Sequence, residues 1–308
     1  MKKNNLYIFS ILVIILFSAC EVIDPMASEQ YRKEIYIVGS YNRVSSFDIP
    51  YGDNQEAFIS VAVSGTLPIE RDVEVALKKS DDIITWYNNR YMLDAPVKYR
   101  QLDPERIHIP SWSTTIKAGD VYARFPFTVT TTGLHCDSLY AIGFAIDSIS
   151  DYQKSEKDTV VILTLKLTNE FSGIYLMEAA KSTLKEEDGQ WIETGMPIPV
   201  IIHRTLTAVS ANAVRFFHEK QKETLSEYSN SWDPGKDYFQ AIDNYCIVLS
   251  RIDDSNTFAI MPWSSMNILD GKATFDNGVF SFWYDYMDGA TRYRMKGTFT
   301  KSNDFAKD

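Results

Sequence analysis

The sequence predicts an all-β protein: an N-terminal antiparallel β-sandwich of immunoglobulin-like type, followed by a C-terminal antiparallel β-barrel or curved meander sheet. Three observations predict it. Apolar residues recur at every second position along most of the chain, Gly and Pro punctuate those runs, and in the first half only Ser80 to Tyr91 has helical or turn character. A period of two sends successive side chains to opposite faces of a strand, so each run describes a sheet with one buried face.

The chain opens with a basic pair, Lys2 and Lys3, an apolar run from Leu6 to Phe17, and the small residues Ser18 and Ala19 before Cys20. That run is shorter than the roughly 20 residues needed to span a bilayer core, so residues 1–19 read as a signal peptide rather than a permanent membrane helix. The junction resembles the bacterial lipobox. The resemblance implies cleavage before Cys20, diacylglycerol on its thiol and acylation of its new amine, an anchor of several acyl chains. Residues 20–30, polar and with Pro25 among them, form a lipidated tether. Glu21 and Asp24 loosely resemble the acidic signal that sends Bacteroidetes lipoproteins to the outer face of the outer membrane.

Residues 31–168 form the predicted sandwich. Ala57, Ile59, Val61 and Val63 alternate with Phe58, Ser60, Ala62 and Ser64, and Val73, Val75 and Leu77 repeat the pattern. It returns in Val121 to Val129, Tyr140 to Ile146 and Val161 to Leu167, with Gly65, Pro68, Gly119 and Gly133 between the runs. Ser80-Asp81-Asp82 offers a helix N-cap. Thr168-Asn169-Glu170 marks the boundary to the second domain, residues 169–308. There, Ile174 to Glu178, Val200 to His203, Tyr245 to Leu249 and Thr257 to Met261 read as strands, and Glu187-Asp188-Gly189-Gln190 as a hairpin turn. Thr207 to Gln221 fits a short helix or a strand. In the last hairpin Phe280, Phe282, Tyr284 and Tyr286 share one face, Met287-Asp288-Gly289-Ala290 turn, and Tyr293, Met295, Gly297 and Phe299 return, as in a small lipocalin-like barrel.

The 308 residues carry 31 basic and 41 acidic side chains, a formal charge of −10, and no basic stripe interrupts this field. Nucleic acid and anionic headgroups are therefore poor partners, so no nucleic-acid binding is expected, and neutral ligands stay open. Cys136 and Cys246 lie in different predicted domains and read as unpaired thiols. The four His residues lack the spacing of a zinc site, and the acidic runs Asp147 to Asp158 and Asp270 to Asp276 lack the calcium-loop pattern, so no metal and no cofactor is expected. No GxSxG elbow, Walker loop, GxGxxG or HExxH occurs. His135 beside Cys136 would point away from it in a strand, and no carboxylate pair stands out as a glycosidase dyad.

Several segments together resemble a family of two-domain Bacteroidetes surface lipoproteins, whose N-terminal β-sandwich is of the type also found ahead of endoglycosidase modules and whose C-terminal domain is barrel-like. Val61 to Gly65, Asp72 to Leu77, Ile116 to Gly119 and Tyr140 to Ile146 carry the likeness in the first domain; Phe171 to Tyr175, Arg204 to Ser210 and the terminal aromatic hairpin carry it in the second. The resemblance implies outer-membrane attachment at the cell surface and a role in holding polysaccharide or glycoprotein glycans beside a transporter complex. It transfers no catalytic residues.

Sugar binding needs flat apolar rings that stack on pyranose C–H faces, with amides and carboxylates for the hydroxyls. Trp232 is the leading candidate, in the polar stretch Tyr228 to Tyr238, where Asn230 and Asp233 accept hydroxyl protons and Tyr228 and Tyr238 add rings. A fold-back of Trp232 to plug the barrel competes with this. Trp191 follows the Asp188-Gly189 turn, Trp112 lies between Pro110 and Gly119, and Trp86 stands with Tyr87, Asn88, Asn89 and Tyr91, where a helix covering one end of the sandwich is the alternative. Trp283 faces away from Phe282 and Tyr284, in register with Arg292, Arg294 or Lys296. The expected function is non-catalytic glycan binding for uptake. The alternative is a structural or adhesive accessory that binds another surface protein, and a glycoside hydrolase-like enzyme ranks third.

Overall fold

The computed structural model describes residues 27–218 and 234–302, and in the helix that begins at 234 the side chains from 238 onward. Cys20 and the segment holding Tyr228, Asn230, Trp232 and Asp233 lie outside the described residues. The protein is all-β.

Two sheets form the sandwich. One has the order β10 (Gln153–Lys154), β1 (Glu34–Ile37), β3 (Gln55–Val63), β8 (Tyr122–Val129), β6 (Ile107–His108). The other has the order β2 (Val44–Pro50), β11 (Val160–Thr168), β9 (Leu139–Ile149), β4 (Val73–Lys79), β7 (Ser113–Ile116), with β5 (Tyr99–Gln101) also paired to β9. The period-two residues face inward as expected: Ile59, Val61, Val75, Leu77, Phe125, Phe127, Ile142, Phe144, Leu163 and Leu165 share one core. Val121 does not join it, because it precedes β8 and is exposed. Not every pairing is antiparallel. β2 runs parallel to β11 over seven residue pairs, and β1–β10 and β5–β9 are parallel too. These pairs join strands far apart in sequence or separated by long connections, so no hairpin dictates their direction.

Helix α1 (Asp82–Tyr91) lies on the second sheet, packing Ile84 against Ala141 and Ile162. Asp81 takes the N-cap position but its side chain makes no capping bond.

The second half closes into an eight-stranded barrel, β12 (Gly173–Glu187), β13 (Gln190–Ser210), β14 (Ala213–Phe217), β15 (Cys246–Arg251), β16 (Thr257–Pro262), β17 (Ile268–Asp276), β18 (Val279–Asp288) and β19 (Thr291–Lys301), with β19 returning to β12. Closure removes the sheet edges that a meander would leave open. Both hairpins read from sequence form, with Asp188, Gly189 and Gly289 at positive φ. The acidic run Asp270 to Asp276 is strand β17, its Ala273 facing the core, rather than a calcium-type loop. Thr207 to Phe217 is strand, turn and strand.

The lumen is packed rather than hollow. Phe171 plugs one end, edge-on to Phe258 and Phe275, and Phe216, Phe280, Phe282, Tyr284 and Phe299 continue the filling. Burying each such ring contributes about 1.5–3 kcal/mol. Near the other end Lys181 lies 4.0 Å from the Tyr293 ring, and His218 Nδ1 lies 2.9 Å from the Tyr284 hydroxyl.

Helix α2 (Pro234–Tyr245) corrects the reading of Tyr228 to Tyr238 as one polar loop, since Tyr238 lies on a helix. Pro234 supplies the first helical position, where its missing N–H is no loss, and Ile242 is buried one turn after Tyr238.

Candidate functional site

The sandwich and the barrel meet in a built seam. Asn169, between β11 and β12, donates from Nδ2 to the carbonyls of Ser210 and Ala213 at 2.7 and 2.8 Å, so the linker is fastened to the β13–β14 turn. From the sandwich, the loop between β8 and β9 is pinned by Tyr51, whose hydroxyl donates to the Leu134 carbonyl, and by Tyr140, whose hydroxyl accepts from His135 N–H. This loop carries Asp137 to the outer wall of the barrel. There Arg215 of β14 donates to both carboxylate oxygens, 2.7 Å from Nη1 to Oδ2 and shorter still from Nη2 to Oδ1. Both side chains are almost fully buried, at 5 % and 4 % exposure. A pair so desolvated survives only with two-pronged geometry of this kind. Trp263, at the end of β16, lies 4.5 Å from the Arg215 guanidinium, and the His135 ring meets it edge-on.

Tyr238, a glycan candidate in the sequence, belongs to this seam: burial, then the charge of Asp137, pushes its hydroxyl up to about 12. Burial also pushes the Cys136 thiol up to about 12, so it is a neutral thiol and a poor nucleophile. Cys136 and Cys246 are not joined in a disulfide, and Cys246 is buried. His135, Cys136 and Asp137 sit in a turn, not a strand, and their ligand atoms come within 4.8 Å of one another. The donor set nevertheless does not suit a metal. Asp137 is committed to Arg215, its own N–H donates to His135 Nδ1 at 3.2 Å, and the thiol holds its proton.

Two clefts flank this loop and share Cys136. One, of about 830 Å3, lies between the second sheet and the root of the barrel, with Tyr99, Asp48, Lys166, Thr205 and Thr207 in its walls. The other, of about 460 Å3, is lined by Tyr51, His135, Asn212 and Trp263.

From the larger cleft a series of rings runs outward along α1. Tyr99 lies 5.9 Å from Tyr87, Tyr87 4.9 Å from Tyr91, and Tyr91 5.7 Å from Trp86, centroid to centroid. Trp86 and Tyr91 are 41 % and 58 % exposed, with Arg43 and Arg90 against the Trp86 ring. Asn88 is spent on structure, its amide exchanging two hydrogen bonds with the Tyr99 backbone. The helix covers the outer face of the second sheet rather than an end of the sandwich.

The remaining candidates lie elsewhere. Trp112 rests its ring 6.1 Å from Phe125 beside the sandwich core. Trp191 stands on the outer wall of the barrel under Arg292, and Trp283 on the same wall under Arg294. Thus Trp86 is linked to the larger cleft only through Tyr91, Tyr87 and the cleft residue Tyr99, Tyr238 lies inside the seam, and Trp191 and Trp112 are apart from both. Asp137, Arg215, Trp263 and Tyr99 were not singled out in the sequence as site residues. Asp137 and Arg215 are 78 positions apart and no local pattern links them.

Comparison with known proteins matches this architecture. A family model for an N-terminal domain matches residues 31–153, and its companion C-terminal model matches residues 159–300. No curated protein matches the sequence significantly. Among solved structures, a Bacteroides ovatus protein of unknown function superposes with a TM-score of 0.61 at 13% identity, covering 87% of this chain and 94% of its own. A multidomain protein including DUF1735, also from Bacteroides ovatus, gives 0.54 at 15%, covering 88% and 94%. An auxiliary nutrient binding protein from Bacteroides thetaiotaomicron gives 0.50 at 15%, covering 83% and 90%. At these identities the likeness establishes the fold.

Proposed function

The chain belongs to the two-domain family that these paired N- and C-terminal models describe, and from that premise we propose that it is a non-catalytic surface lipoprotein that binds extracellular glycan for a neighbouring transporter. One observation carries the proposal: the ring series Tyr99, Tyr87, Tyr91 and Trp86 leads out of an 830 Å3 cleft at a domain seam. Clefts between domains are where small ligands preferentially bind, and exposed rings on a rigid helix stack on sugars with little loss of conformational freedom. Asp48, Lys166 and the threonines of the cleft supply hydroxyl partners. The likeness to a nutrient binding protein supports a binding role. So does the chemistry of the seam, whose carboxylate and thiol are held by an ion pair and by burial.

In this reading the acylated Cys20 holds the protein on the outer membrane. Affinity electrophoresis with Trp86→Ala/Tyr91→Ala tests the site. Each lost stack of about 1.4 kcal/mol raises Kd tenfold, so retention by the cognate polysaccharide should drop by one order of magnitude or more. Unaltered migration of the wild type in every polysaccharide defeats the proposal. The exposed Met196 and Ile201 of β13, at 92 % and 68 % exposure, favour the second reading, adhesion to another surface protein. Recovery of one stoichiometric protein partner, without glycan binding, would establish it.

A further inference from the structure

We propose that the outer wall of the barrel carries a second sugar-contact surface, for a neutral polysaccharide chain, built on Trp191 and Trp283; it rests on the glycan reading above and is a separate site. Tyr284, Tyr286, Tyr293 and Met295 point into the barrel, so the alternate residues of β18 and β19 face out. On that outer face Asp285 is fully buried. It accepts from Arg292 Nη2 at 2.7 Å and from Arg294 Nε at 2.7 Å. The two guanidiniums, fixed by one carboxylate, then each take one tryptophan: Arg292 lies 4.6 Å from the Trp191 ring and Arg294 4.9 Å from the Trp283 ring.

The result is a rigid Trp–Arg–Asp–Arg–Trp row across the wall. Trp191 is backed by Arg292 and still 40 % exposed, so part of its ring is offered to solvent, its position already paid for by folding. Glu193, held by the Ser182 hydroxyl at 2.9 Å and facing Arg294, places a carboxylate beside the row for sugar hydroxyls. Charge selects the ligand class. Arg292 and Arg294 are balanced by Asp285 and Glu193, while Lys272 and Lys296, the strand neighbours of Trp283, share the wall with Asp270, opposite Asp285, and with Glu178, opposite Thr298; Glu186 adds a further carboxylate opposite Trp191. A wall with no excess of positive charge does not attract polyanions. It suits a neutral chain long enough to reach from one ring to the other, and contact at both this wall and the α1 cleft gives a long polymer the gain of linked sites.

The test uses the full mature chain in native gels containing mannan, laminarin, galactan or xylan, with polygalacturonate as the charged probe. Trp191→Ala/Trp283→Ala is compared with Trp86→Ala/Tyr91→Ala, and thermal melts by circular dichroism establish that each is folded. In a gel that retards the wild type, the wall variant should bind at least about fivefold more weakly, and Trp191→Phe should retain most of the retardation. If Trp283→Ala impairs folding, Trp191→Ala alone gives the same readout. Wild-type mobility of the wall variant beside a weakened α1 variant overturns the wall site and leaves the glycan reading intact. A weakened wall variant beside an unaffected α1 variant supports the wall and removes the α1 cleft. A wild type retarded by none of the polymers, polygalacturonate included, overturns both, and retention by polygalacturonate alone overturns the neutral assignment.

Discussion

Asp137 and Arg215 each spend their charge on the other in a dry interface, and that fixes what their removal does. Arg215→Ala strands a buried carboxylate, and Asp137→Asn leaves a buried guanidinium short of its counter-charge. Each should destabilise the seam by about 3–5 kcal/mol, far more than an exposed pair. Urea unfolding checks this: the wild type should lose both halves in one transition, and Arg215→Ala should separate them into two. His218 gives a second prediction. It is 8 % exposed, and burial, then the charges of Lys181 and Arg204, holds its imidazole down at about 3. In the unfolded chain it titrates near 6.5. Between those values the unfolded state binds a proton that the folded state refuses, so this contribution to stability is complete above pH 6.5 and drains away as pH falls toward 3. His218→Gln should therefore lose less Tm than the wild type between pH 7.5 and pH 5. Neither role is legible from residue type. Four scattered histidines and one Arg among 31 basic residues look alike until their burial is known.

Strands and turns were the most legible part. The alternation in β3, β4, β9 and β11 directly names the sandwich core, and Asp188-Gly189 and Gly289 mark the hairpins where positive φ is required. One glycine of the barrel needs another explanation. Gly297 of β19 has ordinary strand dihedrals, but an added Cβ would lie 2.2 Å from the Glu178 carbonyl oxygen and 2.4 Å from Ala179 Cα. Gly297→Ala must push β12 and β19 apart where the barrel closes, and it should cost several kcal/mol. A fall in Tm with loss of near-ultraviolet aromatic signal checks it; an unchanged melt would mean the closure is looser than the register implies. Helix α2 and strand β17 were missed for opposite reasons. A Pro-Gly pair and a polar approach hid the start of α2, and aspartates on the outward positions of β17 resemble a loop when only their number is read.

As a whole, the protein is a sandwich and a closed barrel joined at a seam that includes one loop, Asn169 and the Asp137–Arg215 pair, with the rings outside its cores divided between the seam, helix α1 and the barrel wall. The proposed anchor belongs to the same scale, since it decides where both bodies work. Cys20→Ser should leave the protein unlipidated, and fractionation with mass spectrometry of the N-terminus should find it released from the membrane fraction; retention there would remove the lipoprotein reading. Local chemistry was enough to dictate the all-β class, the paired hairpins and the aromatic core. Those follow from a period of two, from which residues tolerate positive φ, and from the transfer of apolar surface out of water, all properties of neighbours in the chain. Which ring borders a cleft, which aspartate meets which arginine, and which tryptophans share a wall depend on contacts between residues tens of positions apart. Such contacts exist only once the sheets have closed, because no short-range pattern encodes them.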